Sequence, residues 1–126
     1  MKLSKNFTLA ELCATSTGVD NTPDQDVIES LTRLVTKVLQ PARERYGKPI
    51  TVNSGYRSVV VNARVGGVAT SQHCKGEAVD LTTGTKEGNR ELFAILETMD
   101  FDQLIDERDM SWIHVSYKNR NQTLKL

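Results

Sequence analysis

The sequence contains few cysteines and no long hydrophobic run. The two cysteines, Cys13 and Cys74, lie far apart and form no CxxC pair. In a chain without a recognisable signal peptide, such a pair predicts free thiols rather than a disulfide framework. No stretch approaches the ~18 apolar residues of a membrane-spanning helix, so we expect no membrane insertion. The opening segment, MKLSKNFTLAEL, also lacks the apolar core of a signal peptide, which predicts synthesis in the cytoplasm.

An excess of charge of either sign is also lacking. Sixteen Lys and Arg residues balance sixteen Asp and Glu residues. Nucleic-acid binders usually carry a basic excess because phosphate contacts dominate their affinity, so the composition gives no reason to propose a nucleic-acid partner. The 126 residues show no repeat and no linker, which predicts a single domain over residues 1–126. The sequence leaves the oligomeric state open, and a monomer is favoured.

The first half of the chain predicts helices. Thr8 and Glu11 have the spacing of a capping box, which marks a first helix start. A second start follows, with Thr22 as N-cap and Pro23 at the first helical position. An apolar stripe with steps of three and four residues then predicts a helix from about residue 23 to 46, which Pro41 should kink or restart. The stripe consists of Val27, Ile28, Leu31, Leu34, Val35, Val38, Leu39, Ala42 and Tyr46.

The second half predicts short strands. Strand patterns occur at residues 49–53, 77–82, 103–105 and 112–117. A short helix is expected over residues 58–65 and a longer one over 86–99. Helices followed by a small, mostly antiparallel sheet with one intervening helix define an α+β fold.

The two histidines, together with one aspartate, are candidates for a metal site. An extended chain from His73 to Asp80 would span roughly 23 Å, so both can be ligands only if the chain bends, which Gly76 allows. Asp80 can meet His114 if their strands are neighbours, and two imidazoles with one carboxylate are typical of a catalytic zinc site with an open position. The alternative is that each histidine is an ordinary core or surface residue and that Asp80 caps a turn. Cys74 is a rival ligand that would point away from its neighbour in an extended segment.

Several motifs together carry a family resemblance. They are SGYRS at 54–58, VGG at 65–67, SQHCKGEAVDL at 71–81 and WIHVSY at 112–117. In this order they resemble the zinc D,D-carboxypeptidase and L,D-endopeptidase group, peptidase family M15. The N-terminal FTLAELC also resembles the short, single-domain branch found among phage cell-wall lysins. The resemblance covers nearly the whole chain and implies the fold shared with the N-terminal domain of Hedgehog proteins, where a similar zinc site need not imply peptidase activity.

The resemblance also implies roles for individual residues. It makes His73, Asp80 and His114 the ligands of one zinc ion. Arg57 falls where the family places an arginine that binds the substrate carbonyl or carboxylate, a role that suits a permanently charged guanidinium. A surface salt bridge is the alternative for this arginine. Ser71 matches a serine that lines the substrate site, with a loop hydroxyl bonded to backbone as its alternative.

The general base departs from the commoner family pattern. Many members place a carboxylate three residues before the last histidine, where this chain has Ser111. Strand alternation puts Gln103, Ile105 and Glu107 on one face, and the related strand of the family then aligns Glu107 with the catalytic carboxylate. Asp109 is the second candidate, and loss of catalysis is the third possibility. Trp112, which shares a strand face with the last histidine, is assigned to the substrate-binding residues.

The implied activity is that of a zinc peptidase. Metal-activated water would cleave stem or cross-bridge peptides of peptidoglycan. The enzyme would serve as a phage or prophage lytic enzyme that reaches the wall after release or within a particle. Two other classes stay open: a non-catalytic zinc-containing binding module, and a structural or assembly protein of a phage particle. The sequence does not separate D-Ala-D-Ala cleavage from L-Ala-D-Glu or cross-bridge cleavage.

Overall fold

The computed structural model describes residues 1–68 and 71–118 of the single domain predicted over residues 1–126. The helices are α1 (Leu9–Leu12), α2 (Gln25–Leu34), α3 (Gln40–Tyr46), α4 (Val59–Arg64) and α5 (Lys86–Leu96), and the strands are β1 (Thr51–Ser54), β2 (Ala78–Thr82), β3 (Gln103–Glu107) and β4 (Trp112–Ser116). A π-helical segment, Val35–Leu39, joins α2 to α3, and a 3₁₀ turn, Gln72–Lys75, precedes β2. In the part of the chain described, every helix is too short or too polar to cross a membrane.

The four strands form one antiparallel sheet in the order β1-β2-β4-β3. The α+β prediction is therefore confirmed. The predicted bounds hold to within a few residues. The largest difference is α5, which ends at Leu96 because the chain there tightens into a turn in which the Met99 amide donates to the Leu96 carbonyl at 3.0 Å.

Of the two helix starts predicted near the N-terminus, the capping box of α1 is confirmed and the N-cap of α2 is wrong. The capping box forms as predicted, since the Glu11 amide donates to Thr8 Oγ1 and the Thr8 amide donates to the Glu11 carboxylate. Helix α2, however, begins at Gln25 with Asp24 as N-cap, whose carboxylate accepts the Val27 amide at 2.9 Å. Thr22 is not the cap because its hydroxyl donates to the Asp20 carboxylate at 2.6 Å instead.

Pro41 restarts the long helix rather than ending it. Proline has no amide hydrogen, and its ring clashes with the carbonyl four residues earlier in a regular helix. The chain accommodates this by widening into the π-helical segment, where the Gln40 amide donates to the Val35 carbonyl. The helical stretch then continues to Tyr46 and ends at Gly47 in a left-handed conformation, φ 79°.

One face of the sheet packs against the helices. Val79, Leu81, Ile113 and Val115 point to this face and are fully buried. The apolar stripe of the long helical stretch and the inner face of α5 cover these four side chains. The helical residues that are fully or almost fully buried there are Leu31, Leu34, Val35, Val38, Leu39, Ala42, Leu92 and Leu96. Because side chains alternate along a strand, the opposite face carries Asp80 and His114.

Candidate metal centre

The register of two neighbouring strands brings Asp80 and His114 together. Strands β2 and β4 pair antiparallel with these two residues directly opposite each other. Side chains of such a pair lie on the same face of the sheet. His114 Nδ1 is 3.0 Å from Asp80 Oδ1. The predicted meeting of these two side chains is confirmed.

His73 reaches the same carboxylate from the 3₁₀ turn. Gly76 ends that turn in a left-handed conformation, φ 72°, and so makes the predicted bend between His73 and Asp80. A Cβ atom at this position would lie 2.9 Å from the Val27 carbonyl oxygen. His73 Nε2 lies 3.5 Å from Asp80 Oδ1. His73 Nδ1 lies 2.7 Å from the Gly55 carbonyl oxygen, which can only accept. In the neutral ring Nδ1 is therefore the protonated nitrogen, and Nε2 is the one that can bind a metal.

The three side chains meet the requirements of a metal site. Their ligand atoms all lie within 4.8 Å of one another. The side chains of His73, Asp80 and His114 are 5%, 14% and 14% exposed, so the group is shielded yet open on one side. Two imidazole nitrogens and one carboxylate oxygen, with a position left for water or substrate, suit zinc. Cys74 does not belong to this group, and it is a free thiol, as is Cys13.

The electrostatics favour an ionised carboxylate at the centre. Burial by itself would raise the pKa of Asp80, but hydrogen bonds to His114 and His73 and the charge of both imidazoles hold that pKa well below its usual range. A metal ligand must be deprotonated, so Asp80 is available for a cation throughout the neutral pH range.

Arg57 lies beside this group. Its Nη2 is 3.6 Å from Asp80 Oδ2, on the side of the carboxylate away from the imidazoles, and its side chain is 18% exposed. Nε donates to Ser54 Oγ at 3.1 Å and Nη1 donates to Asn62 Oδ1 at 3.2 Å. The guanidinium is thus held inside the site rather than in an exposed ion pair. Sequence reasoning missed both partners: Ser54 belongs to the SGYRS motif, whereas Asn62 stands out only as the amide after three valines.

A groove of about 370 Å³ opens beside His114, one of the three donors. Its lining residues are Val68, Ser71, Gln72, Gln103, Ile105, Glu107 and His114. Strand β3 pairs with β4 so that Ile105 faces His114 and Glu107 faces Trp112. The alternation predicted for this strand therefore places Glu107 on the face of the donors and inside the groove.

Asp109 lies in a different environment. It occupies the turn between β3 and β4, where Arg108, Asp109 and Met110 all have positive φ. Its side chain is 85% exposed and pairs with Lys86 Nζ at 3.4 Å. The structure thus separates the two candidate bases, with only Glu107 among the groove residues.

Ser71 and Trp112 also lie near the donors. Ser71 lines the groove, and its hydroxyl accepts the His73 amide at 3.1 Å, so it also caps the 3₁₀ turn that carries the histidine. The bond to backbone predicted as the alternative for this serine is therefore present, and its role in substrate binding stays a prediction. Trp112 is half-buried and pairs with Glu107 across the two strands, but the described residues that line the groove do not include it. The Arg108 guanidinium lies over its ring at 5.6 Å.

Comparisons with known proteins agree with this geometry. Residues 5–116 match the sequence profile described as Peptidase M15. Over 83 residues, 64% of this chain, the sequence is 41% identical to the zinc D-Ala-D-Ala carboxypeptidase of Streptomyces albus G, and the match spans 32% of that relative's length. The prediction of a zinc cofactor agrees with the donor set and with the name of this relative. The order of the motifs along the chain and the match over most of its length show that this chain belongs to the Peptidase M15 family.

Proposed function

We propose that the protein is a zinc peptidase that hydrolyses peptides of the peptidoglycan type. The observation that carries the proposal is the convergence of His73, Asp80 and His114, together with a groove that His114 lines and that also contains Glu107. Metal donors, an open position and a nearby carboxylate are the parts that peptide hydrolysis by water requires.

The residues of the chain divide the chemical work. His73 Nε2, Asp80 and His114 Nδ1 would hold the zinc ion, which when bound supplies Lewis-acid polarisation of the peptide carbonyl and activation of water. Glu107 accepts a proton from the water as its oxygen adds to the carbonyl carbon. The same carboxyl then donates that proton to the departing amine as the C–N bond breaks.

Arg57 stabilises the charge that develops during this reaction. As water adds, negative charge grows on the carbonyl oxygen of the substrate, and a fixed cation near that oxygen lowers the barrier. Ser54 and Asn62 hold the guanidinium in place, so little reorganisation is needed when the charge appears. The same positive charge suits the terminal carboxylate of a short peptide.

We further propose that the bond cleaved is of the D,D-carboxypeptidase type. Support comes from the name of the Streptomyces albus G relative, a zinc D-Ala-D-Ala carboxypeptidase. An L,D-endopeptidase would instead cut inside the stem, between its first two residues.

Mass spectrometry of purified muropeptides, incubated with the zinc-loaded protein, tests both proposals. Loss of a single terminal alanine from pentapeptide stems is the result expected for a D,D-carboxypeptidase. Release of a peptide that begins at the second stem residue would identify an endopeptidase and overturn the D,D assignment. Intact muropeptides in the presence of bound zinc would overturn the peptidase proposal and favour a zinc-containing binding module. Glu107→Gln serves as the matched inactive control.

A lytic role is the wider proposal. A wall peptidase made in the cytoplasm is separated from its substrate by the membrane, so it would act only after release or when delivered in a phage particle. Cells that express the intact chain should keep their turbidity until the membrane is permeabilised, and then lyse faster than cells that express Glu107→Gln. Lysis before permeabilisation, or equal turbidity loss with both proteins, would contradict this role.

A further inference from the structure

We propose that Asn21 is a positioning residue for the metal centre, because its buried amide fixes the loop 55–58 that orients both His73 and Arg57. This inference rests on the zinc-binding part of the proposed function. It requires neither a particular substrate nor catalysis.

Asn21 joins segments that are far apart in the sequence. The residue is 8% exposed and precedes α2. Its Nδ2 donates to the Cys13 carbonyl at 2.9 Å and to the Tyr56 carbonyl at 2.8 Å. Its Oδ1 accepts the Ser58 amide at 2.7 Å. The side chain therefore ties the end of α1 to the two peptide groups on either side of Arg57.

The loop 55–58 in turn touches the metal centre at two points. The carbonyl oxygen of Gly55 accepts the Nδ1 hydrogen of His73, which sets the tautomer and the direction of the ring. The Arg57 amide donates to the His73 carbonyl at 3.0 Å, and the Arg57 side chain reaches Asp80. Groups that hold the second nitrogen of a metal-binding histidine affect metal affinity although they do not touch the metal.

Helix α1 supports the loop from one side only. The Tyr56 amide donates to the Leu12 carbonyl at 2.7 Å, and a side chain at Gly55 would collide with that same carbonyl oxygen. Neither contact holds the Tyr56 carbonyl or the Ser58 amide. Without the Asn21 side chain these two groups would lose a buried partner, and the loop would have to shift to satisfy them. Such a shift would turn the His73 ring and displace Arg57 together.

Asn89 offers a matched control at another place on the sheet. It is 1% exposed, and it makes the same pattern of bonds to backbone. Its Nδ2 donates to the carbonyls of Met110 and Ser111, and its Oδ1 accepts the Thr83 amide at 2.8 Å. These partners lie outside both the loop 55–58 and the three donors. Substitution of this residue should therefore cost stability without affecting the zinc site.

The test compares zinc affinities of the full chain by competition with a chromophoric chelator. Asn21→Asp keeps the size of the side chain and the acceptor for Ser58 but loses both donated bonds. Both Asn21→Asp and Asn89→Asp should lower the melting temperature of the metal-free protein. Only Asn21→Asp should weaken zinc binding, by about 10–100-fold, the usual effect of losing an outer partner of a metal ligand.

Wild-type zinc affinity in a folded Asn21→Asp protein would overturn the inference, as would equal weakening in Asn89→Asp. If the aspartate variant does not fold, Asn21→Ala and Asn89→Ala are compared in the same way. A wild-type protein that binds no zinc would overturn both the zinc site and this inference. A wild-type protein that binds zinc but leaves muropeptides intact would overturn only the peptidase function, since the zinc affinities of the variants still decide the role of Asn21.

Discussion

Two carboxylates near the end of β3 differ in what surrounds them. Glu107 is half-buried and lines the groove beside His114, whereas Asp109 is exposed on the turn and pairs with Lys86. A general base must reach the attacking water by a hydrogen bond, so its position relative to the metal donors decides its role.

Glu107→Gln should therefore retain zinc and fold but cleave stem peptides at least about a hundred times more slowly, since losing a general base typically costs 10²–10⁴-fold in rate. Asp109→Asn, which removes only an exposed ion pair, should have a far smaller effect. Steady-state rates with zinc content measured in parallel check this. The reverse pattern would identify Asp109 as the base.

Arg57 provides the second prediction at this scale. Arg57→Lys keeps the charge, but an ammonium cannot contact Ser54, Asn62 and Asp80 from one planar group. We expect kcat/KM to fall by roughly 10²-fold, the usual cost of losing one donor to a developing oxyanion. Arg64→Lys, at an exposed position of α4, is the control and should be neutral. Unchanged kcat/KM in Arg57→Lys would remove this residue from the catalytic machinery.

At the scale of elements, the join between the 3₁₀ turn and β2 decides whether His73 can face Asp80. Gly76 makes that join in a left-handed conformation against Val27 and Leu31 of α2. Only glycine adopts such a conformation without strain, and here there is also no room for a Cβ.

Gly76→Ala should lower the free energy of unfolding through both effects. Backbone strain contributes about 1–2 kcal/mol, and overpacking against α2 adds about 1–3 kcal/mol. Gly47→Ala has a similar φ but nothing within 4 Å of the added methyl group, so it should show the strain alone. Denaturant unfolding of the metal-free proteins measures both. Equal losses of unfolding free energy in the two variants would mean that α2 accommodates the added methyl group without a free-energy penalty.

At the scale of the whole molecule, the two faces of the sheet have different roles. One face is covered by the helices, and the other carries the donors from β2 and β4. A ligand that binds only the folded chain adds to its stability, so zinc at about 1,000 times its dissociation constant should contribute about 4 kcal/mol, provided that the unfolded chain does not bind it.

His114→Ala should lose bound zinc and, with it, the part of the melting temperature that a chelator abolishes in the wild type. Its metal-free form should be moderately less stable than the metal-free wild type, because the part-buried Asp80 carboxylate loses its bond to His114, so the test is the chelator-sensitive difference within each protein. Elemental analysis and thermal scans with and without chelator provide the measurement. Unchanged zinc content in this variant would reject the ligand assignment.

The sequence by itself determined the features that depend on local periodicity and on spacing. The helical stripe from Val27 to Tyr46 and the alternation that puts Gln103, Ile105 and Glu107 on one strand face follow from residue order alone, because the periods of helices and strands are fixed by backbone geometry. The three candidate donors were named from the SQHCKGEAVDL and WIHVSY motifs through the family resemblance, and Gly76 marked the bend between two of them.

The tertiary structure decided what depends on competition or on distant partners. Thr22 was predicted to cap α2, but its hydroxyl donates to Asp20, and Asp24 caps the helix instead. The pairing of β2 with β4 was a condition that the sequence could state but not test. Asn21 and Asn62 had no local signal, since a buried amide acquires its role from backbone or side-chain groups that only the folded chain brings within hydrogen-bonding distance.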